Sequence, residues 1–470
     1  MFLASRATLG LVFCGTSNAD PLPSETMGLH HRYVVTGALL LTACAPATHQ
    51  APATPSTPAQ EAMTRLGALV DRHHVAAITS RRFTHTEYWR AVNPSIRSAA
   101  FRVEEVGQSI QGRAIRSVTY GDGPVTVLLW SQMHGDESTA SMSLADVLQF
   151  LAGAQPDALR DRLRRELTIV FIPMLNPDGA ELFQRENALG IDVNRDARRL
   201  STPEARALKA VHTRLQPQFG FNLHDQNART LVGPRGAQAG IALLAPAYDS
   251  SRGYNEVRSR ARLVAATMAN VLQQDIPGRI AKYDDGFNPR AFGDLMQTWG
   301  TSTVLIESGA LPDDPQKQRL RRLNAVAILA ALDAIASRRL NDASPESYES
   351  LPFNAGGASD LLVRGGMIVL PGRPPMLADI AINYDDAVGR AAGKVREIGD
   401  LQAVVAIDTM DVTGLFIHPV TAALTSRDGM QWLRIGAEAM FDVRRGADPT
   451  SEVVNRLRGA PTVLRMTPPR

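Results

Sequence analysis

The chain has 470 residues, enough for two or three domains, and its 44% hydrophobic and 21% charged content is ordinary for globular protein. Its formal charge of +3 is small and spread without a long basic run, which makes nucleic acid a poor candidate partner. Cysteine occurs only at Cys14 and Cys44. In chain order, the first recognisable element runs from Met27 to Cys44. It has a weakly basic start at Arg32 and a ten-residue apolar run from Val34 to Ala43, too short to cross a bilayer as a mature helix, and it reads as a signal peptide.

The ending of that element, Leu41-Thr42-Ala43-Cys44, resembles a bacterial lipobox, in which the cysteine becomes the lipidated first residue of the mature chain. Residues 1–43 are then an upstream segment plus lipoprotein signal peptide, with Met27 as the start, and the mature chain has no disulfide. Residues 44–60 are rich in Pro, Ala and Thr, cannot form a packed core and suit an extended tether. The expected location is the cell envelope, lipid-anchored through Cys44, with the membrane as a partner and an outer membrane as the destination.

A helix is predicted from about Ala62 to Ile78. His73, His74 and His85 fall in or near it and are expected to be structural, because no carboxylate sits at ligand spacing from them. Between residues 61 and 340 short apolar runs alternate with helical ones: VTVLLW, SMSLADVLQFLAG, LTIVFIPML, FGFNLH, a long helix from Tyr254 to Gln274, TVLIES, and a final helix ending near Leu340. Strands alternating with helices predict an α/β domain with a mixed, largely parallel sheet flanked by helices. Residues 341–358 read as a polar linker. From 359 to 470, runs such as DLLVRGGMIVLPG, ADIAINYD and GLFIHP predict a small β-rich accessory domain with an interaction role.

The chemistry concentrates in MHGDES, Met133 to Ser138. It sets His134 and Glu137 three residues apart immediately after an apolar strand, so a turn can aim both at one point. His224, closing another apolar run 87 residues after Glu137, is the natural third member. Two histidines and one glutamate leave a fourth position open on a metal, an arrangement of catalytic sites and not of closed structural ones. NPDG at Asn176–Gly179, Arg185, GIDVNRD at Gly190–Asp196 and TVLIESG containing Glu307 complete the set. All four of His134, Glu137, His224 and Glu307 fall at or beyond the carboxyl ends of predicted strands, where open α/β sheets place ligands.

In this order the motifs, with GQSIQGR at Gly107–Arg113, resemble the zinc metallocarboxypeptidase family, the carboxypeptidase A-like enzymes, over roughly residues 100 to 335. The zinc assignment of His134, Glu137 and His224, one Zn²⁺ per chain, rests on that resemblance and is not independent of it. The resemblance further implies Glu307 as general base and Arg185 as the donor that polarises the scissile carbonyl. It also implies Asn194 and Arg195 as the grip on a terminal carboxylate, a task suited to the planar guanidinium fork. Asp192 would orient His134, and Arg113 would join the substrate-binding side. The family's substrate-covering tyrosine is assigned to Tyr283, with Tyr254 and Tyr248 as rivals. Arg290 to Thr301 should line the specificity pocket, where Gly293 carries no charge.

The expected activity is zinc-dependent hydrolysis of peptide bonds, with release of C-terminal residues from peptide substrates. The rival readings are a zinc amidase or deacylase acting on cell-wall peptides, and a catalytically inactive envelope binding protein. An envelope assembly protein acting through residues 359–470 is a further rival.

Overall fold

The computed structural model describes residues 56–459. Cys44, the signal-peptide run, most of the expected tether and residues 460–470 lie outside the described residues. Helix α1 (Pro58–Arg72) begins where the Thr57 side chain accepts the Gln60 amide and Pro58 takes the first helical position. The last three residues of the expected tether are therefore its first turn. Helix α2 (His85–Ile96) opens on a capping box between Thr84 and Glu87.

The chain continues through β1 (Phe101–Gln108), β2 (Ala114–Tyr120), β3 (Val125–Ser131), α3 (Thr139–Leu151), α4 (Ala158–Glu166) and β4 (Leu167–Ile172). Then come α5 (Pro177–Leu182), α6 (Pro203–Leu215), β5 (Phe219–Asp225), the short β6 (Leu231–Val232), β7 (Ile241–Leu244) and α7 (Glu256–Leu272). The larger α/β part ends with β8 (Ile280–Lys282), α8 (Phe292–Thr298), β9 (Ser302–Ser308) and α9 (Gln318–Ala336). Eight strands form one sheet in the order β1-β2-β4-β3-β5-β9-β7-β8. Strands β4, β3, β5 and β9 are mutually parallel, whereas β1 and β2 add antiparallel and β7 meets β9 antiparallel. This is the expected mixed α/β sheet.

Because both faces of the central strands are covered, they read as continuous apolar runs. Val127, Leu129, Phe171, Phe221 and Ile306 join α3, α7 and α9 in one core. Leu128, Trp130, Val170 and Ile172 face the other way, into a second core with Leu208, Phe292 and Met296. Strand β3 has β4 on one side and β5 on the other, so the strand order reverses around it. The carboxyl ends of β3 and β5 are the place at which open α/β sheets bind ligands.

Residues 341–358 are packed, unlike a plain linker. Helix α10 (Glu346–Glu349) buries Tyr348, whose hydroxyl accepts the Ala245 amide at 3.1 Å, and β10 (Asn354–Ala355) pairs with β6. Beyond it lie β11 (Ser359–Arg364), β12 (Met367–Ile368), β13 (Met376–Leu377), β14 (Asp379–Asp386), β15 (Ala391–Gly399) and β16 (Ala406–Asp411). The module closes with β17 (Phe416–Pro419), β18 (Leu424–Arg427), β19 (Met430–Leu433), β20 (Met440–Arg444) and β21 (Val453–Arg458). They make a four-stranded sheet β15-β14-β11-β16, a five-stranded sheet β13-β12-β17-β20-β21 and the separate hairpin β18-β19, around their own apolar core.

One buried ion pair ties the N-terminal helices to this frame. Arg321 on α9 is fully buried and donates from Nε to Asp146 Oδ2 at 2.7 Å, while its other nitrogens bond the Val75 and Ile78 carbonyls. Asp146 Oδ1 also accepts the Val75 amide at 2.7 Å. Removing one partner strands the other charge in the core, so Arg321→Met is expected to cost about 3–5 kcal/mol in denaturant unfolding. Arg321→Met combined with Asp146→Asn should recover part of that loss. A single-mutant cost below about 1 kcal/mol contradicts this account.

Candidate metal and catalytic site

The turn after β3 is built by backbone close approach. Gln132 takes a left-handed conformation, φ 47°, and its Nε2 donates to the Gly135 carbonyl at 2.9 Å. A Cβ on Gly135 would run into the Gly179 carbonyl carbon, so only glycine lets the turn lie against α5. Asn176 holds both sides: Oδ1 accepts the Gly179 amide at 2.9 Å, and Nδ2 donates to the Met133 carbonyl at 3.3 Å. NPDG is thus the cradle on which the His134 turn rests.

That cradle aims His134 and Glu137 at His224, at the end of β5. The ligand atoms of these three buried residues all lie within 4.8 Å of one another. His134 Nδ1 faces Glu137 Oε1 at 2.8 Å, and His224 Nδ1 faces Glu137 Oε2 at 2.7 Å. Glu307 on β9 stands in register beside His224 on β5 and is itself buried.

The electrostatics follow from burial and crowding. Burial opposes a charged Glu137, but the His134 and His224 imidazoles hold its carboxyl well below the usual range. Burial likewise opposes a charged His134, yet the Glu137 carboxylate and bonds to Asp192 and Glu137 raise it to about 9. Burial lowers His224. Glu307 is pushed well above the usual carboxyl range, first by burial and then by the Glu137 carboxylate. The two carboxyls are thus driven apart, one held ionised and the other toward its protonated form.

The donor set fits a zinc ion. Both ring nitrogens of His134 face carboxylate oxygens, Nε2 meeting Asp192 Oδ1 at 2.9 Å, which requires a proton or a metal at Nδ1. Two imidazoles and a carboxylate, with a second carboxylate fixing the tautomer of one ring, match the chemistry of a three-ligand zinc site.

Most of the other predicted residues gather around this cluster. Arg185 donates from Nε and Nη2 to Asp192 Oδ2, at 3.2 and 2.9 Å, and from Nη1 to Glu137 Oε1 at 3.2 Å. Asn194 Oδ1 accepts the Phe292 amide at 2.9 Å, and its Nδ2 lies 3.4 Å from His224 Nε2. Arg195 is exposed, and among the described residues its guanidinium pairs with no carboxylate; its Nη1 donates to the Asn194 carbonyl. Tyr283 faces Glu307, whose charge, followed by burial, pushes the phenol up to about 12. Tyr254 is engaged elsewhere, donating to Glu349 Oε1 at 2.5 Å, and Tyr248 lies on the loop beside Gly253. Gly293 sits against Asn222, whose Oδ1 is buried without a partner. The neighbouring Asp294 is raised to about 6 by burial.

Arg113 stands apart from the cluster. Its Nη1 donates to Asp178 Oδ1 at 2.7 Å, so its guanidinium braces the β1–β2 loop against NPDG. His73, His74 and His85 stay outside too: His73 Nδ1 meets the Leu69 carbonyl, His74 lies 3.7 Å from Asp146, and His85 Nε2 meets the Ala114 carbonyl.

Sequence reasoning missed Asp225 and Lys317. The Asp225 amide donates to Glu137 Oε2 at 3.1 Å, and its Oδ2 accepts from Thr139 Oγ1 at 2.7 Å and from Lys317 Nζ at 2.9 Å. Lys317 is buried, left-handed at φ 52°, and also donates to the Ser308 carbonyl. Asp225 was visible as the residue after His224. Lys317, ten residues beyond Glu307 in a loop, carried no local signal.

The family model described as Zinc carboxypeptidase matches residues 86–200. A probable carboxypeptidase 2 of Arthroderma benhamiae is 33% identical over 109 residues, which cover 23% of this chain and 20% of that protein. Carboxypeptidase 2 of Trichophyton tonsurans is 32% identical over 109 residues, with the same two shares. The chain thus spans about a fifth of the length of the curated relatives it matches. Among solved structures, a metallo-carboxypeptidase from Burkholderia cenocepacia aligns at 18% identity and TM-score 0.43, over 55% of this chain and 70% of that one. Carboxypeptidase A from Helicoverpa armigera aligns at 15% and 0.43, over 59% and 81%. The family match takes in His134, Glu137, Arg185, Asp192, Asn194 and Arg195 and stops short of His224 and Glu307, and over it this chain is similar to the zinc carboxypeptidases.

Proposed function

We propose that the protein is a zinc-dependent carboxypeptidase that releases C-terminal residues from peptides, with Glu307 as general base. The observation that carries this reading is the buried His134–Glu137–His224 cluster with Glu307 beside it in register. Held by those three residues, Zn²⁺ supplies Lewis acidity and brings the pKa of water to about 7.

The chain's own groups do the rest. Glu307, acting as its carboxylate with a proton affinity raised by burial, takes a proton from the attacking water and hands it to the leaving amine. Arg185 is the cation on the rim of the cluster and donates to the carbonyl oxygen as it gains charge, a contribution of roughly 3–4 kcal/mol for one well-placed donor. Arg195 is free of any acidic partner among the described residues and presents its fork to a terminal carboxylate, with Asn194 positioned beside it. Tyr283 covers the substrate from the Glu307 side.

Three outcomes test the assignment. Alanine at His134, Glu137 or His224 should sharply lower zinc content by elemental analysis; full retention in Glu137→Ala removes that ligand. Glu307→Gln should keep metal and fold while turnover falls by about 100- to 10,000-fold, and a variant with near-normal turnover excludes Glu307 as the base. Arg195→Ala should raise the KM for free-acid peptides and shrink the preference over carboxyl-amidated ones. Equal cleavage of both peptide types by the unmodified enzyme sinks exopeptidase recognition and leaves an amidase in its place.

A further inference from the structure

The largest cluster of exposed apolar side chains outside the candidate site belongs to the accessory module. Strands β18 and β19 form a hairpin that pairs with no other strand among the described residues. Its two-residue turn, Asp428-Gly429, is left-handed at both positions, φ 52° and 75°, the geometry that matches strand twist. Alternation along β19 sends Leu433 into the module core and Met430 and Trp432 outward. Met430 is 48% exposed, Trp432 40%, and Ile435, just past the hairpin, 64%.

A second segment joins this face. Arg373 Nη2 lies 2.7 Å from Met430 Sδ, which brings the loop leading to β13 against the hairpin tip. On β13, Met376 is 47% and Leu377 69% exposed. Five large apolar side chains thus sit in solvent on two segments in contact, where scattered single ones would be ordinary. The charge there is one-sided: residues 373–377 and 424–436 contain Arg373, Arg427 and Arg434 against the single acid Asp428. Arg427 stands opposite Met430 in the hairpin register and lies 3.5 Å from the Asp428 carboxylate, which leaves Arg373 and Arg434 as the net positive charge of the two segments.

We propose that the β18–β19 hairpin and the 373–377 loop form a surface that docks on an anionic lipid membrane. Arginine with tryptophan and aliphatic side chains is the combination that a phosphate-bearing interface over hydrocarbon satisfies at once. A soluble polyanion would engage the arginines but leave Met430, Trp432, Ile435 and Leu377 in water. No described helix is long and apolar enough to cross a membrane, so the contact is made from the surface. It is separate from any lipid on Cys44 and stands independently of the peptidase reading.

The test uses the full chain as Cys44→Ser, which removes any acyl attachment at that residue, in co-sedimentation with vesicles. Vesicles of mixed phosphatidylglycerol and phosphatidylcholine should pellet the protein, and pure phosphatidylcholine should not. Trp432→Ser with Ile435→Ser should lower partitioning at least tenfold while leaving peptidase turnover unchanged. Arg427→Gln should lower it about fivefold, the loss expected for one surface cation, and binding should weaken with salt. Protein that stays in the supernatant with both vesicle types overturns the proposal, and so does pelleting that is indifferent to the Trp432/Ile435 double substitution. A face built for a protein partner gives the first of these results.

Discussion

The buried Glu137 carboxylate is the constraint around which the site is arranged. A lone carboxylate in this interior would cost several kcal/mol and would neutralise itself by taking up a proton. Here it is ringed by His134, His224, the Arg185 guanidinium and the Asp225 amide. Glu307 has no comparable set of donors among the described residues, and burial raises it first, with the Glu137 charge adding to the effect. The difference between the two acids comes from their neighbours, and a divalent ion at Glu137 would act on both at once.

Holding four titratable groups at one point requires a rigid backing. Each ligand comes from the carboxyl end of a central strand, and the turn that carries two of them is pinned by Gly135 against Gly179 and by Asn176 on both sides. Behind His224 the relay Thr139–Asp225–Lys317 closes the cleft floor, and Lys317 reaches from there to the Ser308 carbonyl next to Glu307. One buried ammonium therefore touches the residues that follow both a proposed metal ligand and the proposed base. Its left-handed backbone is a local strain that the two bonds from Nζ offset.

Much of this was legible in the sequence because strand-end motifs carry their own geometry. An apolar run fixes where a strand ends, and His134, Glu137, His224 and Glu307 follow from counting to those ends. Asp192 and Asn194 were legible by resemblance, and the structure places them against His134 and His224. The bond from Arg113 to Asp178 left no trace in the sequence, because an arginine beside a turn looks the same whatever it pairs with and Asp178 lies 65 residues away. Lys317 and Arg321 escaped for a related reason, since a long-range ion pair leaves no periodic trace in either of its segments. Residues 341–358 read as a linker because their polar content hides Tyr348 and Leu351, which are buried.

The C-terminal β-rich module is tied to the α/β part by the loops next to the candidate site. Arg81 donates to Asp386 Oδ1 at 2.6 Å at the end of β14, and its own carbonyl accepts from Ser138, the residue after Glu137. Arg229, four residues after Asp225, donates from Nε to Asp360 Oδ2 at 2.8 Å and also bonds the Tyr384 carbonyl. Asp360 is buried, so without Arg229 it would keep a carboxylate in the interface with only amide donors such as that of Tyr384. Breaking such a pair costs more than forming it contributes, because the surviving charge has lost its water as well as its partner. The module is in that sense part of the wall behind the site. A surface that it presents to a membrane would therefore orient the site as well as the module, since Arg229 lies five residues after His224 and the Arg81 carbonyl accepts from Ser138, the residue after Glu137.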